Sequence, residues 1–312
     1  MKKIKDSSNK MGKNNFGKLG GKIKVVSFSG GLGNQMFEYA FYKKHTKDTK
    51  VVLADCSHYN KEKVMPYVLE DVFPNVKLLY DNESVMTQML LEKYKKRNII
   101  QKIMQRVVPF FRILEWEKAD GVYDSHCMKR WECLYKGYWQ CEKYWSDIAD
   151  EIQEDFTFAP ISDKKINQFA EDLLINETVS VHVRRGDYLS KEGQKLFGNI
   201  CTIDYYNKAI HYIKNIYPKC KFVFFSDDPE WVKQNFHISN MMVVSNVIGM
   251  DYPDWYDMYL MACCKHHIIA NSSFSWWGAY LGHNISKTVI APSKWMNGKS
   301  NQDIWVDGWI QL

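Results

Sequence analysis

Long apolar runs are missing from this 312-residue chain: no window approaches the roughly 18 consecutive apolar residues that point to a membrane span. Metal-ligand spacings are missing too. The eight cysteines (56, 127, 133, 141, 201, 220, 263 and 264) include no Cys-x-x-Cys pair, and no His-x-x-x-His spacing accompanies the adjacent His266 and His267, so zinc has no sequence signature. The 21 aspartates include no Asp-x-Asp, which removes the usual arrangement for a metal-bridged diphosphate. There is no Gly-x-x-x-x-Gly-Lys-Ser/Thr loop, and the one turn that resembles a dinucleotide fingerprint has Met36 where the third glycine belongs. The N-terminal residues also lack the apolar core of a secretory signal. The cysteines are therefore expected to be reduced thiols in a soluble, cytoplasmic protein.

What remains is the composition of a globular chain, 46% hydrophobic and 25% charged, long enough for two medium domains. The formal charge of +6 is unevenly placed. Residues 1 to 24 hold eight lysines and one aspartate, a local +7, so the rest of the chain sits near −1. The basicity thus belongs to a tail, residues 1 to 22, which is expected to be disordered. A second basic stretch, KYKKRNIIQKIMQRVVPFF (93 to 111), carries six Lys and Arg. It raises nucleic-acid binding as a reading, against a solvated helix or a surface in peripheral contact with anionic lipid at the inner face of a membrane. The expectation is no nucleic-acid partner.

Along the chain, IKVVSFSG reads as a buried strand, GGLGNQ as a turn, MFEYAFYKKH as a helix and KVVLAD as a second strand. Residues 83 to 118 and 137 to 156 are expected to be helical. Pro160 and Ser162-Asp163 suggest a boundary, giving an N-terminal α/β domain (23 to 160) and a C-terminal α/β domain (161 to 312). The second half alternates VSVHV, TIDYYNKAIHYIKNIY, FVFFSDD, PEWVKQNF, MMVVS, YDMYLMACC, HHIIA, FSWWGAYL and TVIAPS, which predicts parallel strands with crossover helices and a ligand crevice at the strands' carboxyl ends.

Four clusters hold the candidate chemistry. In VSVHVRRGDYL (179 to 189), strand periodicity puts Ser180, His182 and Arg184 on one face, while Arg185 lies in the turn within reach of Asp187. A guanidinium there presents a fork of donors suited to a diphosphate, and Asp187 can hold the second arginine; the alternative is a structural Arg185–Asp187 pair. SGGLGNQMFEYA (29 to 40) joins a strand to a helix through Gly31 and Gly33, with the amides of Asn34 and Gln35 where a sugar or phosphate would lie. NSSFSWWGAYL places Ser272, Ser273 and Ser275 around a helix start, where capping needs only one of them. FVFFSDDPEW ends a strand in Asp227 and Asp228, one suited to a base edge and one to a helix cap. Trp276 and Trp277 are expected in the core or the crevice wall.

In this order, GGLGNQMFEYAF, GYWQCEKYW, VHVRRGDY, FFSDDPEW and KHHIIANSSFSWWGAYL resemble the motifs of the alpha-1,2-fucosyltransferase family, glycosyltransferase family eleven, over essentially the whole chain after the tail. The His-x-Arg-Arg-x-Asp box is shared with alpha-1,6- and protein O-fucosyltransferases; NSSFSWWGAYL narrows the match. The resemblance implies a GT-B-like pair of Rossmann-like α/β domains, the N-terminal one (23 to 160) on the acceptor side and the C-terminal one (161 to 312) binding the GDP-sugar, with GDP-fucose as donor, a β-galactoside acceptor, inversion at the anomeric carbon, and neither metal nor cofactor. It implies that Arg184 binds the β-phosphate and stabilises departing GDP, and that His182 and Asp228 flank the nucleoside. Phosphates would be held at Ser273-Phe274-Ser275, and Gly31 to Asn34 would close over the donor from the other domain. No base for the acceptor hydroxyl is identified, Glu38 and Asp55 being the carboxylates nearest the N-terminal motif. The alternatives are transfer of another GDP-sugar, or a non-catalytic nucleotide-sugar or glycan-binding module.

Overall fold

The computed structural model describes residues 23–61, 65–118, 121–249, 251–299 and 302–312; the basic tail lies outside the described residues. Two parallel sheets organise the chain. The first contains β1 (Ile23–Ser27), β2 (Val51–Asp55), β3 (Leu114–Trp116) and β4 (Cys133–Lys136) in the order β2-β1-β4-β3. The second contains β5 (Thr178–Val183), β6 (Lys221–Ser226), β7 (Met241–Val243), β8 (His266–Ile268), β9 (Val289–Ala291) and β10 (Ile310–Gln311) in the order β10-β9-β8-β5-β6-β7. The parallel strands are those expected from the alternating pattern, and the two α/β sheets are the GT-B-like pair that the resemblance implied.

Strand burial follows from the crossover helices. All six residues of β5 are buried, because helices cover both faces of a parallel sheet and leave no solvated side. The helix Ile203–Ile216 turns Tyr205, Tyr206, Ala209, Ile210 and Ile213 inward at helical spacing, and Thr202 caps it by accepting from the Tyr205 N–H at 3.3 Å. Helix Lys164–Ile175, absent from the sequence reading, is capped by Asp163 through the N–H groups of Lys165 and Ile166.

Two expected helices are corrected. Residues 83 to 118 divide into helices Val85–Lys95 and Ile99–Val107 followed by β3. Residues 137 to 156 are α-helical only over Ala149–Asp155. Gly137 and Trp139 have φ of 150° and 55°, values a right-handed helix excludes. Glu117 Oε2 holds that turn by accepting from the N–H groups of Tyr138 (2.7 Å) and Trp139 (2.9 Å).

The strands of the two sheets fall on either side of residue 160, yet the hydrophobic core does not divide there. Phe37, from helix Leu32–Asp48, lies 4.6 Å from Trp276 and 4.9 Å from Trp277 between ring centroids. Trp145 stacks on Trp277 at 5.5 Å and Phe156 meets the same indole at 5.0 Å. One aromatic cluster therefore joins the two sheets. Trp276 and Trp277 are core residues, fully buried.

Candidate active site

The strand order determines where a ligand can bind. From β5 the chain proceeds through β6 to β7 on one side and then returns to place β8 on the other. The order reverses between β5 and β8, and in open α/β sheets the crevice outside the carboxyl ends at such a reversal receives the ligand. The turn after β5 contains Arg184, Arg185, Gly186 and Asp187; the turn after β8 leads through Asn271 and Ser272 into helix Ser273–Tyr280. In the first sheet the reversal lies between β1 and β4, with Ser29 to Gly33 following one strand and Gly137 to Gln140 the other. These four turns supply the site.

The arginine pairing differs from the sequence expectation. β5 ends at Val183, so strand periodicity no longer governs Arg184. Its guanidinium meets Asp187 Oδ1 through Nε (3.0 Å) and Nη2 (2.8 Å), and Asp227 Oδ2 through Nη1 (2.9 Å). Arg185 pairs instead with Asp228, Nε to Oδ2 at 2.9 Å, and its guanidinium lies 4.1 Å over the Trp231 ring. The Arg185–Asp187 pair is thus replaced by two separate pairs. Asp227 also accepts the N–H groups of Arg185 (2.9 Å) and Gly186 (3.0 Å), fastening the turn after β5 to the end of β6.

This network fixes two cations at the mouth of the sheet while leaving part of each donor fork unspent. Burial works to lower the Arg184 pKa, but Asp227 and Asp187 outweigh it and hold the guanidinium above its ordinary value. The hydrogen bond from Arg185 holds the Asp228 carboxyl below its usual range. Asp228 also caps helix Pro229–Asn235 by accepting from the Trp231 N–H at 3.1 Å. Cap and arginine partner are thus the same residue, while Asp227 holds the loop. His182 lies behind the arginines, 6% exposed, with no hydrogen-bond partner for Nδ1. Its pKa falls to about 3, chiefly by burial and further by Arg184, so it is a neutral imidazole near pH 7. Its ring centroid is 5.9 Å from that of Phe274.

The start of helix Ser273–Tyr280 is the meeting point of the two sheets' turns. Ser272 is its N-cap residue but makes no side-chain cap. Ser273 Oγ donates to Asn34 Oδ1 at 2.8 Å, and Gln140 Nε2 donates to the same oxygen at 2.8 Å. Gly33 lies against this helix start so closely that an added Cβ would stand 2.6 Å from the Ser273 carbonyl carbon and 2.7 Å from the Phe274 nitrogen. Trp277 Nε1 donates to the Gly33 carbonyl at 3.0 Å. Gly33 is needed for this close approach, and Gly31 is the N-cap residue of helix Leu32–Asp48.

Several expected roles are not supported by these placements. Ser275 is fully buried and its single hydroxyl proton is shared between the carbonyls of Ala270 and Ser272, so it is not presented to the crevice. Gln35 is likewise buried and bonded to the backbone of Gly30, Pro66 and Val68. Glu38 is buried, accepts both the N–H and the hydroxyl of Ser29, and has its pKa raised by burial. Asp55 accepts from Ser57 N–H and Ser84 Oγ. Both carboxylates are buried and bonded to neighbouring residues. Gln140 and Trp231 were not singled out in the sequence. The one signal for Gln140 was a lone amide within an aromatic run.

The sequence profile of Glycosyl transferase family 11 matches residues 23–312. The chain belongs to that family. It is 32% identical to an alpha-1,2-colitosyltransferase of Escherichia coli over 93% of this chain and 99% of the relative. It is 30% identical to the O-antigen biosynthesis glycosyltransferase WbnK of the same species, over 91% and 98%. Human galactoside alpha-(1,2)-fucosyltransferase 1 matches at 28% identity over 44% of this chain and 40% of its own length. Among solved structures, a Bradyrhizobium fucosyltransferase NodZ superposes with a TM-score of 0.48 at 15% identity, covering 83% of this chain and 92% of the other. This family 11 chain is therefore a glycosyltransferase, and Arg184 to Asp187 form the polar turn of its second sheet. Among the described residues, no three His, Cys, Asp or Glu side chains are grouped to hold a metal ion.

Proposed function

We propose that this chain transfers L-fucose from GDP-fucose to the 2-hydroxyl of a terminal β-galactoside, with inversion and without a metal, in assembly of a bacterial-type surface polysaccharide. The observation that most supports this reading is the pair of guanidiniums fixed by Asp187, Asp227 and Asp228 at the strand-order reversal. In such a transfer the acceptor oxygen attacks the anomeric carbon as its bond to the diphosphate breaks, and the electron pair leaves with GDP. Negative charge grows on the diphosphate, so a cation already positioned there stabilises the transition state more than the ground state. Arg184 has that role, with Asp187 and Asp227 orienting it. The acceptor proton passes late to a phosphate oxygen of the departing GDP, since Glu38 and Asp55 are both engaged elsewhere.

A second reading has a specific motive: a relative covered almost end to end is named for colitosyl transfer, and colitose is fucose without its 3-hydroxyl. A donor panel separates them. GDP-fucose with a β-galactoside should give an alpha-1,2-linked product, identified by NMR, at a rate that EDTA leaves nearly unchanged. Turnover of GDP-colitose alone would select the second reading, and tighter binding of UDP-sugars would remove both. Loss of activity in EDTA, restored by Mn²⁺, would show that the arginines do not take a cation's place.

A further inference from the structure

Far from the arginine turn, helix Ile99–Val107 departs from the usual pattern of a surface helix. It is well formed: Asn98 accepts from the Gln101 N–H at 2.9 Å and the Gln101 side chain returns to the Asn98 N–H at 3.1 Å. At 100° per residue Ile99, Ile100, Ile103, Met104 and Val107 fall within an arc of about 140°. That stripe faces solvent, with exposures from 45% at Met104 to 76% at Ile99. Phe110 and Phe111, just after it, are exposed as well, and Phe110 lies 5.2 Å from the half-exposed ring of Trp131. Between this helix and Val85–Lys95 runs a groove of about 630 Å³ whose walls include Met89, Met104 and Phe111 together with Lys93, Lys96, Arg97 and one carboxylate, Glu92.

The charges around the stripe identify what covers it. Residues 93 to 112 contain seven Lys and Arg and no Asp or Glu; Lys93, Lys96 and Arg112 pair with Glu132, Glu92 and Glu115, which leaves the face with an excess of positive charge. A second copy of the chain seated on this face would bring cation against cation. A protein partner would bury an unusual density of charge, and a nucleic acid would have no use for an aliphatic stripe. We propose that residues 99 to 111 lie in the interfacial region of a phospholipid leaflet bearing anionic headgroups, with the apolar stripe among the acyl chains and the flanking Lys and Arg on the phosphates. This contact is independent of the sugar donor, and none of its residues belongs to the arginine turn.

The test is sedimentation of the full chain with vesicles of phosphatidylcholine alone or mixed with phosphatidylglycerol. Wild type should sediment with the mixed vesicles and little with the neutral ones. The double substitution Ile99→Asp with Ile103→Asp should reduce the bound fraction roughly 10-fold or more, and Ile99→Ser with Val107→Ser, a milder pair, should reduce it in the same direction. Thermal melting should be unchanged because the replaced side chains are exposed. The proposal is overturned if wild type does not sediment with anionic vesicles. It is equally overturned if both double variants bind as wild type does, since the tail lysines would then account for attachment. Conversion of a wild-type oligomer to monomer by either substitution would assign the stripe to a second copy.

Discussion

At the scale of single residues, Arg184 and Arg185 are neighbours in sequence with different partners in space. Their presence at the end of a strand, and their suitability for a diphosphate, were legible in VHVRRGDY. Which aspartate each one meets was not, because periodicity stops at Val183 and Asp227 and Asp228 arrive from β6, more than 40 residues later in the chain. The structure makes Asp187 a partner of Arg184, which changes what its loss should do. Arg184→Lys keeps the charge but loses the fork, so kcat should fall by on the order of 100-fold with little change in Tm. Asp187→Ala should lower kcat by about 10-fold, less than the lysine replacement, because Asp227 still holds Nη1. Steady-state kinetics and thermal melts of both variants check this, and near-normal turnover by Arg184→Lys would remove it from the leaving group. His182 shows the same limit of sequence reading. Its place in the motif was clear, but its burial, and hence its neutrality, depends on neighbours from other elements.

At the scale of elements, the second sheet was legible because each of its main strands is a short apolar run ending in polar or turn residues. β3 and β4 were not. They are three and four residues long, β3 with Glu115 at its centre and β4 ending on Lys136, so neither alternation nor a long apolar run marks them. β10, with two residues, gives no periodic signal at all. The glycine turn after β1 was visible, but its reason was not: Gly33 is packed against the start of helix Ser273–Tyr280, 240 positions further along the chain. Gly33→Ala should therefore destabilise by about 1 to 3 kcal/mol, the range for forcing extra volume into a packed contact. It should also raise KM for the donor, since Asn34 and Ser273 shift with it. Denaturant melts and donor titration measure the two effects; an alanine variant as stable as wild type would show that the contact yields freely.

At the scale of the whole molecule, the aromatic cluster of Phe37, Trp145, Phe156, Trp276 and Trp277 joins the sheets into one core. A single heat-absorption peak is expected, with calorimetric and van't Hoff enthalpies in agreement. Two resolved transitions would mean that the sheets unfold separately. No helix of the described residues is long and apolar enough to cross a membrane.

The shared core also bears on how such an enzyme can change its specificity. Exchanging one half for that of a relative would break Phe37 from Trp276 and Trp277, and Asn34 from Ser273, unless both sides of every contact came from the same parent. New sugar preferences in this lineage should therefore arise by substitution within the turns, with both halves inherited together.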